Sequence, residues 1–206
     1  MNQLYQNEID RFGYESLIAG ADEAGRGPLA GPVVASAVIL DRRMVINGIN
    51  DSKKLTEVKR EALYKLIIEN CLAYAIEIIE PAEIDRINIL EASLKGMADS
   101  INRLSIQPEF CLIDGNKLPR QLLLPMEAVV KGDGTFASIA AASILAKVTR
   151  DRIMLEIDRE YPQYGFKQNK GYPTKEHLNA ISKHGVTRYH RLTYGPCAQP
   201  TLPFFE

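Results

Sequence analysis

Ile18-Ala19-Gly20-Ala21-Asp22-Glu23-Ala24-Gly25-Arg26-Gly27-Pro28-Leu29-Ala30-Gly31-Pro32 is the stretch around which the rest of the chain is read. An apolar run delivers two adjacent carboxylates, Asp22 and Glu23, and then enters a loop rich in glycine. If residues 17–21 form a strand, consecutive side chains point to opposite faces of a sheet. The two acids then serve one site only where the backbone turns, and glycines that tolerate positive φ supply such a turn. A carboxylate pair beside backbone amides that can be closely approached suits a metal-dependent site acting on phosphate. The same stretch also reads as a strand end with two solvated acids. It lacks the Gly-Lys-Ser/Thr ending of a phosphate-binding loop.

Working outward, Val33-Val34-Ala35-Ser36-Ala37-Val38-Ile39-Leu40 is β-branched and apolar, the pattern of a buried second strand. Residues 72–79 predict a third strand closed by Pro81, residues 110–113 a fourth that delivers Asp114 and Gly115, and residues 126–130 a fifth ending at Lys131-Gly132-Asp133-Gly134. Thr56 introduces a helix with Leu63, Leu66 and Ile67 on one face, and Leu90, Leu94, Met97, Ala98 and Ile101 mark another. The longest helix is expected over residues 136–158; its first half carries small residues almost all round and should lie against the sheet, and Pro162 ends it. The pattern predicts a mixed α/β domain over residues 1–160 with a C-terminal helical extension, residues 161–206, packed on it as one functional unit.

Composition bounds the partners. The chain has 206 residues, enough for one well-buried core, and its 46% hydrophobic and 25% charged fractions are those of an ordinary globular protein. A net charge of -1 gives no global field for a polyanion, so any basic surface must be local. Cys71, Cys111 and Cys197 are odd in number with no Cys-x-x-Cys pair, the usage of reduced thiols in a cytoplasmic protein. The polar, acidic residues 1–15 do not resemble a signal peptide, and the longest apolar stretches, residues 29–40 and 136–146, fall short of a membrane span.

Three of the five predicted strands end in acids: Asp22 with Glu23, Asp114, and Asp133. Sites in α/β sheets form where central strands end. Four carboxylates without histidine or cysteine make a hard oxygen site, suited to Mg²⁺ or Mn²⁺ rather than Zn²⁺. Ions so held can activate water and stabilise the leaving oxygen of a phosphodiester. Asp114-Gly115 and Asp133-Gly134 singly read as turns; as a set, the acids read as a site. Residues 166–194 interleave Lys167, Lys170, Lys175, Lys183, Arg188 and Arg191 with Tyr172, Tyr189 and Tyr194 against the single acid Glu176, which fits a nucleic-acid surface or a solvated basic face. His177, His184 and His190 have no zinc spacing and read as structural or phosphate-contacting. Asp51-Ser52-Lys53 reads as a turn or as a lysine aimed at phosphate, with the turn favoured. Lys147 and Asp151 read as an i,i+4 ion pair.

These residues resemble bacterial ribonuclease HII, the type 2 ribonuclease H. The resemblance lies in Asp22 through Pro32, Asp51-Ser52-Lys53-Lys54-Leu55, Ile87-Asn88-Ile89-Leu90, Ile113-Asp114-Gly115-Asn116, Lys131-Gly132-Asp133, Ala141 through Asp151, Tyr164-Gly165-Phe166, Lys170-Gly171-Tyr172-Pro173-Thr174 and His190-Arg191, in that order. It implies an RNase H-like fold, a five-stranded mixed sheet flanked by helices with a C-terminal helical extension. It implies that Asp22, Glu23, Asp114 and Asp133 are catalytic and hold two Mg²⁺ or Mn²⁺ ions, that the backbone around Gly25-Arg26-Gly27 senses a 2′-hydroxyl, that Lys53 contacts substrate, and that Tyr172 stacks on the deoxyribose after a ribonucleotide. The implied activity is endonucleolytic cleavage of RNA in RNA/DNA hybrids and 5′ to single ribonucleotides in duplex DNA, leaving 5′-phosphate and 3′-hydroxyl ends, by a cytoplasmic monomer. Asn169 departs from the histidine frequent at that place in the family. Finally, Gln199-Pro200-Thr201-Leu202-Pro203-Phe204-Phe205 has the Gln-x-x-Leu-x-Phe spacing of sliding-clamp-binding peptides, and reads either as such a peptide or as an apolar end that packs back on the domain.

Overall fold

A computed structural model describes residues 2–198. Five strands, β1 (Ile18–Ala24), β2 (Val33–Leu40), β3 (Cys71–Ile79), β4 (Phe110–Asp114) and β5 (Met126–Val129), form one sheet in the order β3-β2-β1-β4-β5. β1 pairs antiparallel with β2, and β2 with β3, whereas β1–β4 and β4–β5 are parallel. The mixed five-stranded sheet is the predicted one, and β2 has the predicted bounds.

Period-two alternation sends the two sides of the sheet to different helices. Val38 and Leu40 join the small residues of α5 (Ala137–Glu160) on one face. Ala35, Ala37 and Ile39 join Leu94, Met97 and Ile101 of α4 (Ile89–Asn102) on the other. α5 comes unusually close to β1, because a Cβ at Gly20 would collide with the backbone of Ser138 and Ile139. The first half of α5, from Ala137 to Ala146, is buried throughout, as its composition predicts.

α2 (Glu57–Asn70), capped by the Thr56 hydroxyl, adds Leu63 and Ile67 beside α5, and α3 (Pro81–Ile87) precedes α4. The N-terminal segment, assigned no element from sequence, is a helix, α1 (Gln3–Phe12), which buries Leu4, Tyr5 and Ile9. Its buried stripe is two turns long, Leu4 and Tyr5 followed by Glu8 and Ile9, and the charged Glu8 interrupts the apolar pattern. The Glu8 carboxylate accepts from the Ser138 N–H at the start of α5 at 3.0 Å and pairs with Arg42 at 3.3 Å. A buried anion at that position complements the helix dipole.

Beyond α5 the chain forms α6 (Phe166–Asn169) and α7 (Lys175–His184). Tyr164, Phe166 and Ala180 share a core with Met154 and Ile157 of α5 and with Ala30. The segment after α7 is strapped to the loop between β1 and β2: Gly31 N donates to Tyr189 O and Arg191 N to Leu29 O, both at 2.8 Å. Among the described residues, no helix is long and apolar enough to cross a membrane. The Gln199–Phe205 peptide lies outside the described residues.

Candidate active site

Strand β1 does not turn between its two acids. It stays regular through Ala24, with Asp22 opposite Ser36 and Glu23 opposite Ala35 on β2. The expectation that glycine-driven turning unites the pair is therefore corrected: Asp22 lies on the α5 side, where it lines the cleft with Ser143, and Glu23 on the α4 side, paired with Arg26 at 3.4 Å. They serve one cleft because the sheet ends there. β4 ends at Asp114, one step beyond the Ala21–Ile113 pair and so beside Asp22, and its charge acts on both Asp22 and Glu23.

Asp133 is likewise not a strand end. β5 stops at Val129, and Asp133 sits in a 3₁₀ turn, Gly132–Gly134, entered through a left-handed Lys131. That turn is tied to the site by the Gly132 N–H, which donates to Asp114 Oδ1 at 2.7 Å. A Cβ at Gly132 would press on the end of the Ile139 side chain and on Asp114 Oδ1, so the turn nests closely against both.

The cleft is a cavity of about 350 Å³ lined by Asp22, Glu23, Asp114, Lys53, Arg26 and Tyr172, with the loop Ala24–Gly27 between. Asp133, 5% exposed, stands at its edge with Lys53 Nζ 3.7 Å from its carboxylate. All nine residues singled out from sequence thus lie in or beside one cleft. Burial, followed by the charges of Glu23 and Asp114, pushes the Asp22 carboxyl well above the usual range. Glu23 is raised by burial against the opposing pull of Arg26, and Asp133 by burial and then by Asp51. Burial acts to lower the Lys53 ammonium, but the carboxylates of Asp133, Asp22, Asp51 and Asp114 together raise it.

Among the described residues, no three His, Cys, Asp or Glu side chains stand close enough to hold a metal ion. The acids are instead occupied locally, Asp22 by the Glu23 N–H at 2.7 Å, Asp114 by Gly132, and Glu23 and Asp133 by cations. The donor set still fits a hard divalent cation: four carboxylates, three of them held above their ordinary range chiefly by burial, a strain that bound positive charge relieves, with no nitrogen or sulfur ligand beside them.

Several residues that sequence reasoning did not assign also line the cleft: Ser52, Ser143, Lys147 and Arg150. Ser143, Lys147 and Arg150 recur at helical spacing on α5, a polar stripe within an otherwise small-residue helix, and that was the legible signal. Lys147 keeps its ion pair with Asp151, yet burial lowers its ammonium. Asp51 caps the 3₁₀ turn Ser52–Lys54, the favoured turn reading, and in addition faces Asp133.

Two buried guanidiniums back the Gly25–Gly27 loop. Arg191 donates to the carbonyls of Gly25 (2.6 Å), Arg26 (3.0 Å) and Gly31 (2.8 Å), and Arg150 to those of Ala30 (3.1 Å) and Pro32 (3.0 Å). Burial, then the proximity of Arg191, pushes Arg150 down to about 10. With the Gly25 and Arg26 carbonyls turned toward Arg191, peptide planarity turns the N–H groups of Arg26 and Gly27 the other way. Arg191 is thus a buried backbone clamp and not part of a basic face, and Arg188 is engaged by Glu160.

An acidic cleft at the ends of parallel strands, with backbone donors and an exposed tyrosine on its rim, is the site of a nuclease. The family model for ribonuclease HII matches residues 19–197. The ribonuclease HII of Marinomonas sp. (strain MWYL1) is 55% identical over 188 residues, covering 91% of this chain and 94% of that protein. The chain belongs to the ribonuclease HII family and is an endoribonuclease of the ribonuclease H type. Among solved structures, the ribonuclease H2 from Pyrococcus horikoshii OT3 superposes with a TM-score of 0.74 at 29% identity, covering 87% of this chain and 94% of that one. The RNase HII of a PCNA:RNase HII complex from Archaeoglobus fulgidus superposes with a TM-score of 0.70 at 26% identity, covering 86% and 95%.

Proposed function

We propose that this endoribonuclease cuts the RNA strand of RNA/DNA hybrids and also cuts 5′ to single ribonucleotides embedded in duplex DNA, leaving 5′-phosphate and 3′-hydroxyl ends. The observation that carries this reading is the Tyr172 ring on the cavity rim, whose Cε1 would lie 3.4 Å from a Cβ on Gly27. A ribose entering there meets the outward N–H groups of Arg26 and Gly27, which can donate to its 2′-hydroxyl, the group that separates RNA from DNA. The next sugar stacks on Tyr172. The phosphate on the 5′ side of that ribose is then directed toward Asp22, Glu23, Asp114 and Asp133.

Those four carboxylates would hold Mg²⁺ or Mn²⁺, which when bound supplies water activation and stabilisation of the departing 3′ oxygen. The Glu23 N–H fixes the Asp22 carboxylate and the Gly132 N–H that of Asp114, so the chain itself orients the donors. Lys53 is released from Asp133 to the substrate phosphate as the acids are neutralised. Lys147 and Arg150 keep the inner wall positive toward the same anion. Every assigned group comes from one chain, so a monomer suffices, and the free thiols of Cys71, Cys111 and Cys197 suit a cytoplasmic setting.

A labelled RNA/DNA hybrid incubated with Mg²⁺, with Mn²⁺ and with chelator tests the reading. Cleavage that survives chelation, or that survives Asp114→Asn, overturns it. For the partner, we propose sliding-clamp docking through Gln199–Phe205. A chain lacking residues 199–206 that binds the bacterial clamp as well as the full chain overturns that part.

A further inference from the structure

Beneath Tyr172 lies a buried imidazole pair that the reaction does not use. His177 and His190 are 0% and 2% exposed, and their Nε2 atoms are 3.1 Å apart. The outer nitrogens each meet one backbone group whose role is fixed, and the Thr187 hydroxyl, 3.0 Å from His190 Nδ1, can turn its proton to that nitrogen as well. His190 Nδ1 faces the Thr187 backbone N–H at 2.9 Å, which can only donate. His177 Nδ1 faces the Tyr172 carbonyl at 2.9 Å, which can only accept.

These two ends leave one direction for the chain of hydrogen bonds. Thr187 N–H donates to a bare His190 Nδ1, so neutral His190 carries its proton on Nε2. That proton is donated to a bare His177 Nε2, and His177 Nδ1–H donates to Tyr172 O. A further proton would set two N–H groups against each other. The Tyr164 and Phe166 rings pack against both imidazoles and exclude water. Burial lowers both histidines; with His177 as neighbour, His190 falls to about 4. The pair is therefore neutral and singly oriented in the working range.

The relay ends one residue before Arg191, whose guanidinium sets the Gly25 and Arg26 carbonyls. One short segment, residues 187–191, thereby holds both the tyrosine on one side of the rim and the loop on the other. Asn169 reinforces the tyrosine side: its amide donates to Tyr164 O at 2.7 Å and its Oδ1 accepts from Gly171 N at 2.8 Å.

We infer that the His177–His190 pair is a positioning element that fixes the spacing between Tyr172 and the Gly25–Gly27 loop, and so sets selectivity for a lone ribonucleotide over an RNA tract. This rests on the proposed stacking role of Tyr172, so Tyr172→Ala serves as the reference variant.

The experiment measures kcat and KM on duplexes with one and with four ribonucleotides for the wild type, Tyr172→Ala, His190→Asn and His190→Gln. Asparagine keeps an acceptor for Thr187 but does not reach His177, whereas glutamine places an N–H near the lost Nε2. His190→Asn should raise KM on the single-ribonucleotide duplex about three- to tenfold, the worth of one neutral hydrogen bond. It should leave kcat on the longer tract nearly unchanged, add little to Tyr172→Ala, and be largely rescued in His190→Gln. If Tyr172→Ala loses selectivity and a folded His190→Asn does not, the pair has no positioning role and the tyrosine reading stands. If Tyr172→Ala keeps full selectivity, the tyrosine reading falls and takes this inference with it. A measurement independent of any variant is the imidazole ¹⁵N spectrum of the wild-type chain. Nε2–H on His190 and Nδ1–H on His177 are expected at neutral pH; the opposite tautomers, or a charged imidazole, overturn the inference.

Discussion

Asp22 and Glu23 are neighbours in sequence but occupy opposite faces of β1, the first beside Ser143 of α5 in the cleft and the second paired with Arg26. Asp114, at the end of the adjacent parallel strand, raises the pKa of both. The site therefore wraps around the end of the sheet instead of lying on one side of it.

This crowding makes Asp22 a residue retained at a cost in stability. Its carboxyl sits above the ordinary value of 3.8, so the folded state binds protons more readily than the unfolded one. That contribution lowers stability as pH rises from about 4 through the folded pKa. Asp22→Asn should abolish hybrid cleavage while raising the melting temperature of the metal-free protein at pH 7 by about 2–4 °C, roughly 1 kcal/mol. Scanning calorimetry with and without Mg²⁺ checks it: Mg²⁺ should raise the wild-type melting temperature and leave the variant nearly unmoved.

The glycine loop should separate fold from function. A Cβ at Gly27 meets only Tyr172, at 3.4 Å, and the residue is exposed, whereas a Cβ at Gly25, with φ +103°, would strike the Arg150 side chain. Gly27→Ala is expected to melt within about 1 °C of the wild type yet lose at least about tenfold in kcat/KM on a single-ribonucleotide duplex, because the methyl group fills the space between loop and ring. Gly25→Ala should cost about 2–3 kcal/mol of stability in urea denaturation.

Arg191→Met should destabilise the chain by about 2–4 kcal/mol, since it strands the carbonyls of Gly25, Arg26 and Gly31 that its guanidinium now satisfies. Tyr194→Phe removes only the hydroxyl that donates to Arg26 O at 2.8 Å, and should cost about 1 kcal/mol. Urea denaturation of the pair orders the two effects, and an Arg191→Met chain as stable as the wild type would contradict the clamp.

His190 supplies an acid limb. Its folded value of about 4 lies below its ordinary 6.5, so the unfolded state binds the extra proton between these values. Stability present above pH 6.5 is then lost as pH falls toward 4, by about 2–3 kcal/mol for this one group. Melting temperatures across that window should fall more steeply for the wild type than for His190→Gln.

Much of the fold was legible because the strands are short β-branched or apolar runs bounded by turns, and β2 was read to the residue. α1 was missed: Leu4, Tyr5 and Ile9 form too narrow a stripe beside the buried Glu8, whose burial depends on Arg42 and the start of α5. The four acids were visible as acids at strand ends, but their arrangement was not. That Glu23 reaches the cleft from the α4 side, and that Asp133 enters on a 3₁₀ turn beyond β5, follow from where β4 and β5 stop. Arg191 and His190 were read within a basic segment, and only tertiary packing reveals them as buried groups tied to backbone.

The central claim is that Asp22, Glu23, Asp114 and Asp133 cut beside a ribose held between Tyr172 and the Gly25–Gly27 loop. The most direct measurement is an end-labelled DNA duplex with one ribonucleotide, incubated with Mg²⁺ and resolved to the nucleotide, beside an all-DNA duplex. One cut is expected, immediately 5′ to the ribonucleotide, absent with chelator and absent from the all-DNA duplex. Cutting of the all-DNA duplex, or a cut on the 3′ side of the ribonucleotide, would contradict the claim.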